Sequence, residues 1–196
     1  MGHLELFHVS VFVAVILSWL AFAAAFLFRK RQPHAPAVKS TSKYLPGIVL
    51  QAVGFAAVWN WRRQLFTHIV ELPYALEVVL ALVTVALAFA SAGFTISAIK
   101  TLGRQWAVAA QTVEDHALIT SGPYGVVRHP IYTGLLGLLV ATGLSLSTWQ
   151  GLVLGVVFFI PGTILRVRSE ERLLAESFGS AFAEYRKRVP SFLPFV

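Results

Sequence analysis

The chain alternates long apolar runs with short polar ones, and the apolar runs are hydrophobic on every side rather than along one stripe. Leu6 to Phe28 carries no charge and is long enough to cross a hydrocarbon core of about 30 Å, which needs roughly 20 helical residues. Further runs at Leu45 to Trp61, Tyr74 to Ile99, Ile131 to Ser147 and Gly151 to Leu165 predict four more spans. The last two are short and separated only by Thr148, Trp149 and Gln150, which predicts an antiparallel helical hairpin. Pro161 and Gly162 predict a kink or thinning near the end of its second arm. Beyond it, Arg166 to Val189 turns amphipathic: Leu174, Phe178, Ala181 and Tyr185 form an apolar stripe, with Arg172, Glu176, Glu184 and Lys187 displaced from it. This segment is expected to pack back on the cytoplasmic face. The expected fold is all-α, a polytopic integral membrane protein of about five transmembrane helices with a C-terminal helical hairpin and an amphipathic cytoplasmic C-terminal helix.

Composition agrees, since 57% of the 196 residues are hydrophobic and only 13% are charged. A signal peptide is not expected in the first run, because the basic residues follow it and no A-x-A-like cleavage site precedes a soluble domain. Five spans put the termini on opposite sides, and the basic residues choose the orientation. With the amino terminus outside, Arg29, Lys30, Arg31, Lys39, Lys43, Lys100, Arg104, Arg128 and every Arg and Lys from position 166 onward are cytoplasmic, and only Arg62 and Arg63 are not. The expected location is a membrane of prokaryotic inner-membrane type, with the site and the C-terminus on the cytoplasmic side. The net charge of +7 then follows from topology and anionic lipid headgroups, and no nucleic-acid partner is expected. With no cysteine, disulfides and thiolate chemistry are excluded. The six histidines lack metal-ligand spacing, and His3, His8 and His68 fall toward the outer side, away from His116 and His129, so no metal is expected.

Residues 1–99 read as a transmembrane scaffold and residues 100–196 as the cofactor-binding and catalytic region of one structural domain. In the scaffold, Glu77 is expected at headgroup level and Trp59, Asn60 and Trp61 in an interfacial belt. From Lys100 to Tyr132 the chain is polar and broken by glycine and proline, too long for an idle connection in so compact a protein. Its end, Gly122 to Gly134, sets Arg128, His129, Tyr124 and Tyr132 directly against an apolar helix. Arg166 and Glu170, four apart, share a helix face just above the membrane, while Glu171 and Arg168 are expected to point elsewhere. Taken singly, these groups read as a surface ion pair, a hydrogen-bonded ring and interface anchors. Gathered on one membrane face, they point to chemistry.

The run His116-Ala117-Leu118-Ile119-Thr120-Ser121-Gly122-Pro123-Tyr124, then Arg128-His129-Pro130-Ile131-Tyr132-Thr133-Gly134, then Arg166 with Glu170-Glu171 and Phe178-Gly179, ending Tyr185-Arg186-Lys187-Arg188-Val189-Pro190, strongly resembles the isoprenylcysteine carboxyl methyltransferases. It is also similar to the C-terminal pattern of membrane phospholipid N-methyltransferases. The resemblance covers roughly the last hundred residues and implies an integral-membrane enzyme that uses S-adenosylmethionine without a Rossmann domain, in keeping with the lack of a G-x-G-x-x-G turn. It implies cofactor contacts from Gln111, His116, Ala117, Leu118, Ile119, Tyr124, His129, Pro130, Ile131, Tyr132 and Glu170, and places Arg166 toward the substrate.

Those roles suit the chemistry. The ammonium and carboxylate of the cofactor call for an anion such as Glu170 and for donors such as His129 or Arg128. Arg166 and Glu170 are then the catalytic pair, Arg166 orienting an acceptor carboxylate through its two-pronged donors. The expected acceptor is lipophilic, first an isoprenylcysteine-like carboxylate on a small molecule or prenylated chain, second a phospholipid amine, which would have to lose a proton. The cofactor is expected to enter from the cytoplasm and the acceptor laterally, beside the short fourth and fifth spans, with Gly134 and Gly137 shaping that route. Two other readings stand beside this one. Membrane sterol and steroid reductases resemble the same C-terminal half and bind NADPH, and a non-enzymatic membrane scaffold would leave the polar turn among headgroups.

Overall fold

The computed structural model of the chain describes residues 3–27, 37–40, 42–63, 69–103, 111–113 and 117–193. Five helices carry it: α1 (His3–Leu27), α2 (Leu45–Asn60), α3 (Tyr74–Leu102), α4 (Pro130–Leu146) and α5 (Trp149–Arg188). A small antiparallel ribbon joins β1 (Ala37–Ser40) to β2 (Gln111–Val113), and a 3-10 turn at Gly122–Gly125 precedes α4. The protein is an all-α integral membrane protein, to which the ribbon and the 3-10 turn are added among the described residues. α1, α3 and α5 contain apolar stretches long enough to cross a membrane. α2 and α4 have 16 and 17 residues, roughly 24 and 26 Å at 1.5 Å per residue.

Successive helices run up and down. Phe7 and His8 of α1 share one end of the bundle with Arg63, just past α2, Glu77 of α3 and Leu144 of α4. The α4–α5 hairpin turns there through Ser147 and Thr148 alone. Thr148 caps α5 by accepting from the Gly151 amide at 3.2 Å, and its own amide donates to Trp61 O at 2.8 Å. Trp59, Trp61, Tyr74 and Trp149 are all exposed at this end, as an interfacial belt requires. Glu77 lies at this same end, in the first turn of α3, but does not face outward. It is 8% exposed because it turns inward, toward a cleft shared with Arg63 and His8. The sides of the bundle are lipid-like, with Leu17 and Leu20 on α1, Leu82 and Val83 on α3, and Val153 and Val157 on α5 exposed.

Lipid tails are as apolar as leucine, so close backbone approach matters more to helix association than burial of apolar area does. On α2 and α5, glycines seven apart face each other. A Cβ on Gly47 would come within 2.6 Å of Gly162 O, and one on Gly54 within 2.7 Å of Gly155 O. Around this contact Val58, Leu139 and Phe159 form a fully buried cluster. Gly134 and Gly137 serve a different contact from the expected one. They face Ser91 and Thr95 of α3, so a bulky residue there would wedge α3 from α4 rather than reshape a path beside α5.

Pro161 lies inside α5, whose single interior break is at Gly179, with φ 49° and ψ −118°. The break re-phases the helix, so the buried positions after it are Phe182 and Tyr185, and Ala181 is exposed instead of lying on the predicted stripe. The final turns fold back as expected, with the Tyr185 hydroxyl donating to Tyr124 O at 2.6 Å.

Candidate active site

At the end of the bundle opposite the aromatic belt, the polar segment before α4 meets α5 and the residues that follow it. Backbone bonds fix the meeting: the Arg128 amide donates to Pro190 O at 2.8 Å and the His129 amide to Ser191 O at 3.0 Å. Thr133 adds a side-chain bond to Phe192 O. Pro130 at the first turn of α4 forfeits no helix bond, and His129 sits in a non-helical conformation just before it, so its ring can turn toward α5.

Two consecutive glutamates of α5 receive this segment. Glu171 accepts from Arg128 Nε at 2.8 Å and Nη2 at 2.8 Å, and lies 3.2 Å from His129 Nε2. Arg128 also donates to Val189 O, and to Arg186 O at 3.2 Å, so its donors are engaged on every side. Glu170 lies 3.3 Å from His129 Nδ1 and accepts a short bond from the Tyr132 hydroxyl. The His129 and Tyr132 rings stack at 5.9 Å. Exposure separates the two carboxylates: the Glu171 side chain is 12% exposed and that of Glu170 25%.

Electrostatics follow from the packing. Burial disfavours the His129 imidazolium, yet hydrogen bonds and charge from Glu170 and Glu171 outweigh it and raise the pKa. Only the protonated ring can donate from both nitrogens to both carboxylates. Burial pushes the Glu171 carboxyl up, and His129 and Arg128 pull it further down, for a net lowering. Burial foremost, then the charge on Glu170, raises the Tyr124 phenol, which stays protonated.

A second polar chain enters from the membrane side. Arg166 donates from Nη1 to Gln51 Oε1 at 3.0 Å, and its guanidinium stands 4.9 Å from the Tyr132 ring centroid. Gln51 is 6% exposed and donates in turn to Thr163 Oγ1 at 2.8 Å. The Arg166 stem packs on Gly47, so the glycine contact between α2 and α5 brings the amide within reach. An anionic Glu170 and a cationic Arg166 thus stand one helical turn apart where α5 leaves the apolar layer, with Tyr132 between them.

Residues 76–181, more than half of the chain, match the phospholipid methyltransferase family. The chain belongs to this family. It is 40% identical over 99 residues to the cobalt-zinc-cadmium resistance protein CzcN of Cupriavidus metallidurans, covering 48% of this chain and 44% of that one. It is 35% identical over 102 residues to protein-S-isoprenylcysteine O-methyltransferase B of Arabidopsis thaliana, covering 51% and 52%. To the protein-S-isoprenylcysteine O-methyltransferase of Schizosaccharomyces pombe it is 34% identical over 89 residues, covering 45% and 38%. The chain therefore spans about half or less of the length of these relatives. The names of the Arabidopsis and Schizosaccharomyces relatives agree with the resemblance read from the motifs, and that of the Cupriavidus relative is for metal resistance.

Within this member of the phospholipid methyltransferase family, the fold brings together Tyr124, Arg128, His129, Pro130, Tyr132, Arg166 and Glu170 of the expected site residues. Ile131 follows half-buried, and Ala117, Leu118 and Ile119 run into the 3-10 turn. His116 and the side chain of Gln111 lie outside the described residues, as do Arg29, Lys30, Arg31 and Arg104; β2 pairs the Gln111 backbone with Ser40. Glu171 overturns its expectation: it turns into the cluster because one residue of α5 advances about 100°, and Arg128 and His129 reach round the helix to meet it. Arg168 does point away. Gln51 and Thr163 belong to the cluster and were not expected. A lone amide inside an otherwise apolar run is the signal that marks Gln51, since polar groups at membrane depth are costly without a partner. The family match begins at residue 76, inside α3, and does not reach it. Among the described residues no group of three or more acidic or histidine side chains is placed to hold a metal.

Proposed function

We propose that the protein is an S-adenosylmethionine-dependent methyltransferase acting on a lipophilic acceptor, with the carboxylate of an isoprenylcysteine-like molecule first among the candidates. The observation that carries this is the pairing of Glu170 and Arg166 across Tyr132 at the edge of the apolar layer. The donor set fits the cofactor: Glu170, the more exposed carboxylate, suits its ammonium, and the Ala117 to Ile119 segment offers apolar and backbone surface. When bound, the cofactor supplies an electrophilic methyl group.

The protein's own residues then bind and orient. Arg166, held by Gln51, directs a carboxylate toward Tyr132 and Glu170, and alignment at reacting distances of about 3 to 3.5 Å is worth roughly 7–11 kcal/mol. A carboxylate acceptor needs no base, and among the described residues His129 stands between two carboxylates that favour its protonated form. This favours the carboxylate over a phospholipid amine, which would have to give up a proton. Among the described residues the arrangement also weighs against NADPH, because Arg128 is engaged by Glu171 and Arg168 lies on another face, so Arg166 is the guanidinium nearest Tyr132 and Glu170.

Arg128 is assigned a positioning role on the same grounds. Lys43, Lys100 and the cations from Arg166 onward crowd the site end, while Arg62 and Arg63 stand at the other, so the positive-inside bias orients the site toward the cytoplasm of a prokaryotic inner membrane. Residues 1–99 supply scaffold and, through Gln51, part of the site whose remainder lies in residues 100–196.

The test uses purified protein in nanodiscs, methyl-labelled S-adenosylmethionine and a farnesylated cysteine derivative. Base-labile label in the lipid product is the expected result. Label stable to base would move the acceptor to an amine, and binding of NADPH without S-adenosylmethionine would overturn the proposal.

A further inference from the structure

A cavity of about 350 Å³ opens on the side of α5 turned from Glu171, between that helix and the residues leading into α2. Lys43, Arg168 and Arg172 give it three cations against the single carboxylate of Glu176. Its volume falls in the range of small-ligand pockets. Ser169 lines it, with its own hydroxyl turned inside the protein and closed off from the cavity.

The position of the cavity identifies the ligand class. Val153, Val157, Pro161 and Leu165 recur every fourth residue along α5 and are all exposed, forming an apolar stripe that faces lipid. Leu165 is both the last residue of that stripe and part of the cavity wall. Arg168 and Arg172 follow it by three and seven residues, roughly 4.5 and 10.5 Å further along the axis. A phosphate carried directly above acyl chains meets this sequence of surfaces in order, apolar wall first and guanidinium donors next. Two guanidiniums match the several oxygens of a phosphate, which a single ammonium would not.

We propose that this cavity binds the phosphate headgroup of an anionic phospholipid, separately from the candidate active site. Arg166 and Glu170 project from a neighbouring face of α5, so occupancy of the lipid site does not require methyl transfer.

The full chain, reconstituted in phosphatidylcholine nanodiscs, is titrated with fluorescent phosphatidylglycerol and, in a parallel arm, with soluble glycerol 3-phosphate. The wild type is expected to prefer phosphatidylglycerol over labelled phosphatidylcholine, and Arg168→Gln/Arg172→Gln to lose at least about fivefold of that preference, the scale set by removing surface cations near a lipid. Both arginines are exposed, so the variant retains its thermal midpoint. Lys187→Gln/Arg188→Gln removes equal charge from the end of α5 and leaves the preference in place. An equal loss in that control would reduce the effect to bulk charge and overturn the site. Unchanged preference in Arg168→Gln/Arg172→Gln would do the same, and glycerol 3-phosphate binding as tightly as the lipid would assign the pocket to a free phosphate ester instead.

Discussion

Glu170 and Glu171 are neighbours in sequence, yet the regions they organise differ in kind. Around Glu171 every strong donor is spent inside the protein: Arg128 clasps it with two nitrogens and reaches on to the carbonyls of Arg186 and Val189. Around Glu170 the carboxylate is twice as exposed, and its neighbours Tyr132 and Arg166 stand in line toward the membrane. The first arrangement locks the C-terminal stretch onto the polar segment, and the second leaves charge available to a ligand. The lesson is that a polar cluster at a membrane surface can divide its labour between adjacent residues, one for holding and one for binding.

The sharpest way to break this division is Glu171→Ala. It leaves Arg128 buried without its anion and His129 with Glu170 as its remaining carboxylate, a loss on the order of 3–5 kcal/mol. The thermal midpoint in detergent should fall by roughly 10 °C or more. Arg128→Met/Glu171→Leu should fall less than either single change, because no unpaired charge remains between them. A midpoint within a degree or two of wild type in Glu171→Ala would show that the clasp is not structural.

Glu170→Ala is expected to behave in the opposite manner. Stability changes little, since the group is partly exposed and its partners have other contacts, while affinity for S-adenosylmethionine falls by roughly 10–100-fold, the range for losing hydrogen bonds to a charged group. Calorimetry reads the affinity directly. Undiminished binding would remove Glu170 from the cofactor site.

Gln51→Leu addresses the membrane side of the same region. With its amide gone, Arg166 loses an acceptor and Thr163 a donor, and the guanidinium is no longer fixed over Tyr132. Turnover should drop about tenfold, near 1.4 kcal/mol, with cofactor affinity unchanged. Gln51→Glu, which still accepts from Arg166, should restore most of it. Equal losses in turnover and cofactor binding would instead make Gln51 a general packing residue.

Much of this was legible before the structure. The apolar runs gave helices at the expected positions because membrane-spanning helices satisfy their own backbone, and little but length and hydropathy decides where they fall. His129, Tyr132, Arg166 and Glu170 were legible as a group because they surround one break in that pattern. Glu171 was not, since helix spacing assigns a residue to a face but says nothing of an arginine long enough to reach round it from another segment. The stripe at Ala181 failed for a local reason: a positive φ at Gly179 resets the phase of everything after it. Gln51 is separated from Arg166 by more than a hundred residues, and only the glycine-lined crossing of α2 and α5 joins them.

The smallest expected effect concerns the ring that touches both glutamates. The pKa of His129 is raised in the folded protein, so its stabilising contribution is complete below the unfolded value of about 6.5 and is lost as pH rises through the folded value. Glu171 is lowered, so its contribution is present above its ordinary value and is lost as pH falls through the depressed one. Stability should therefore hold across the mildly acidic range and decline on both sides. The alkaline decline is modest, because the neutral ring still donates one of its two hydrogen bonds, and about 1 kcal/mol moves the midpoint of a chain this size by roughly 2–4 °C. Thermal melts against pH should show that limb in the wild type and lose it in His129→Gln, whose amide does not titrate. Persistence of the alkaline limb in His129→Gln would place the titrating group elsewhere and leave the ring a neutral bridge, whose single proton could then serve only one of the two carboxylates at a time.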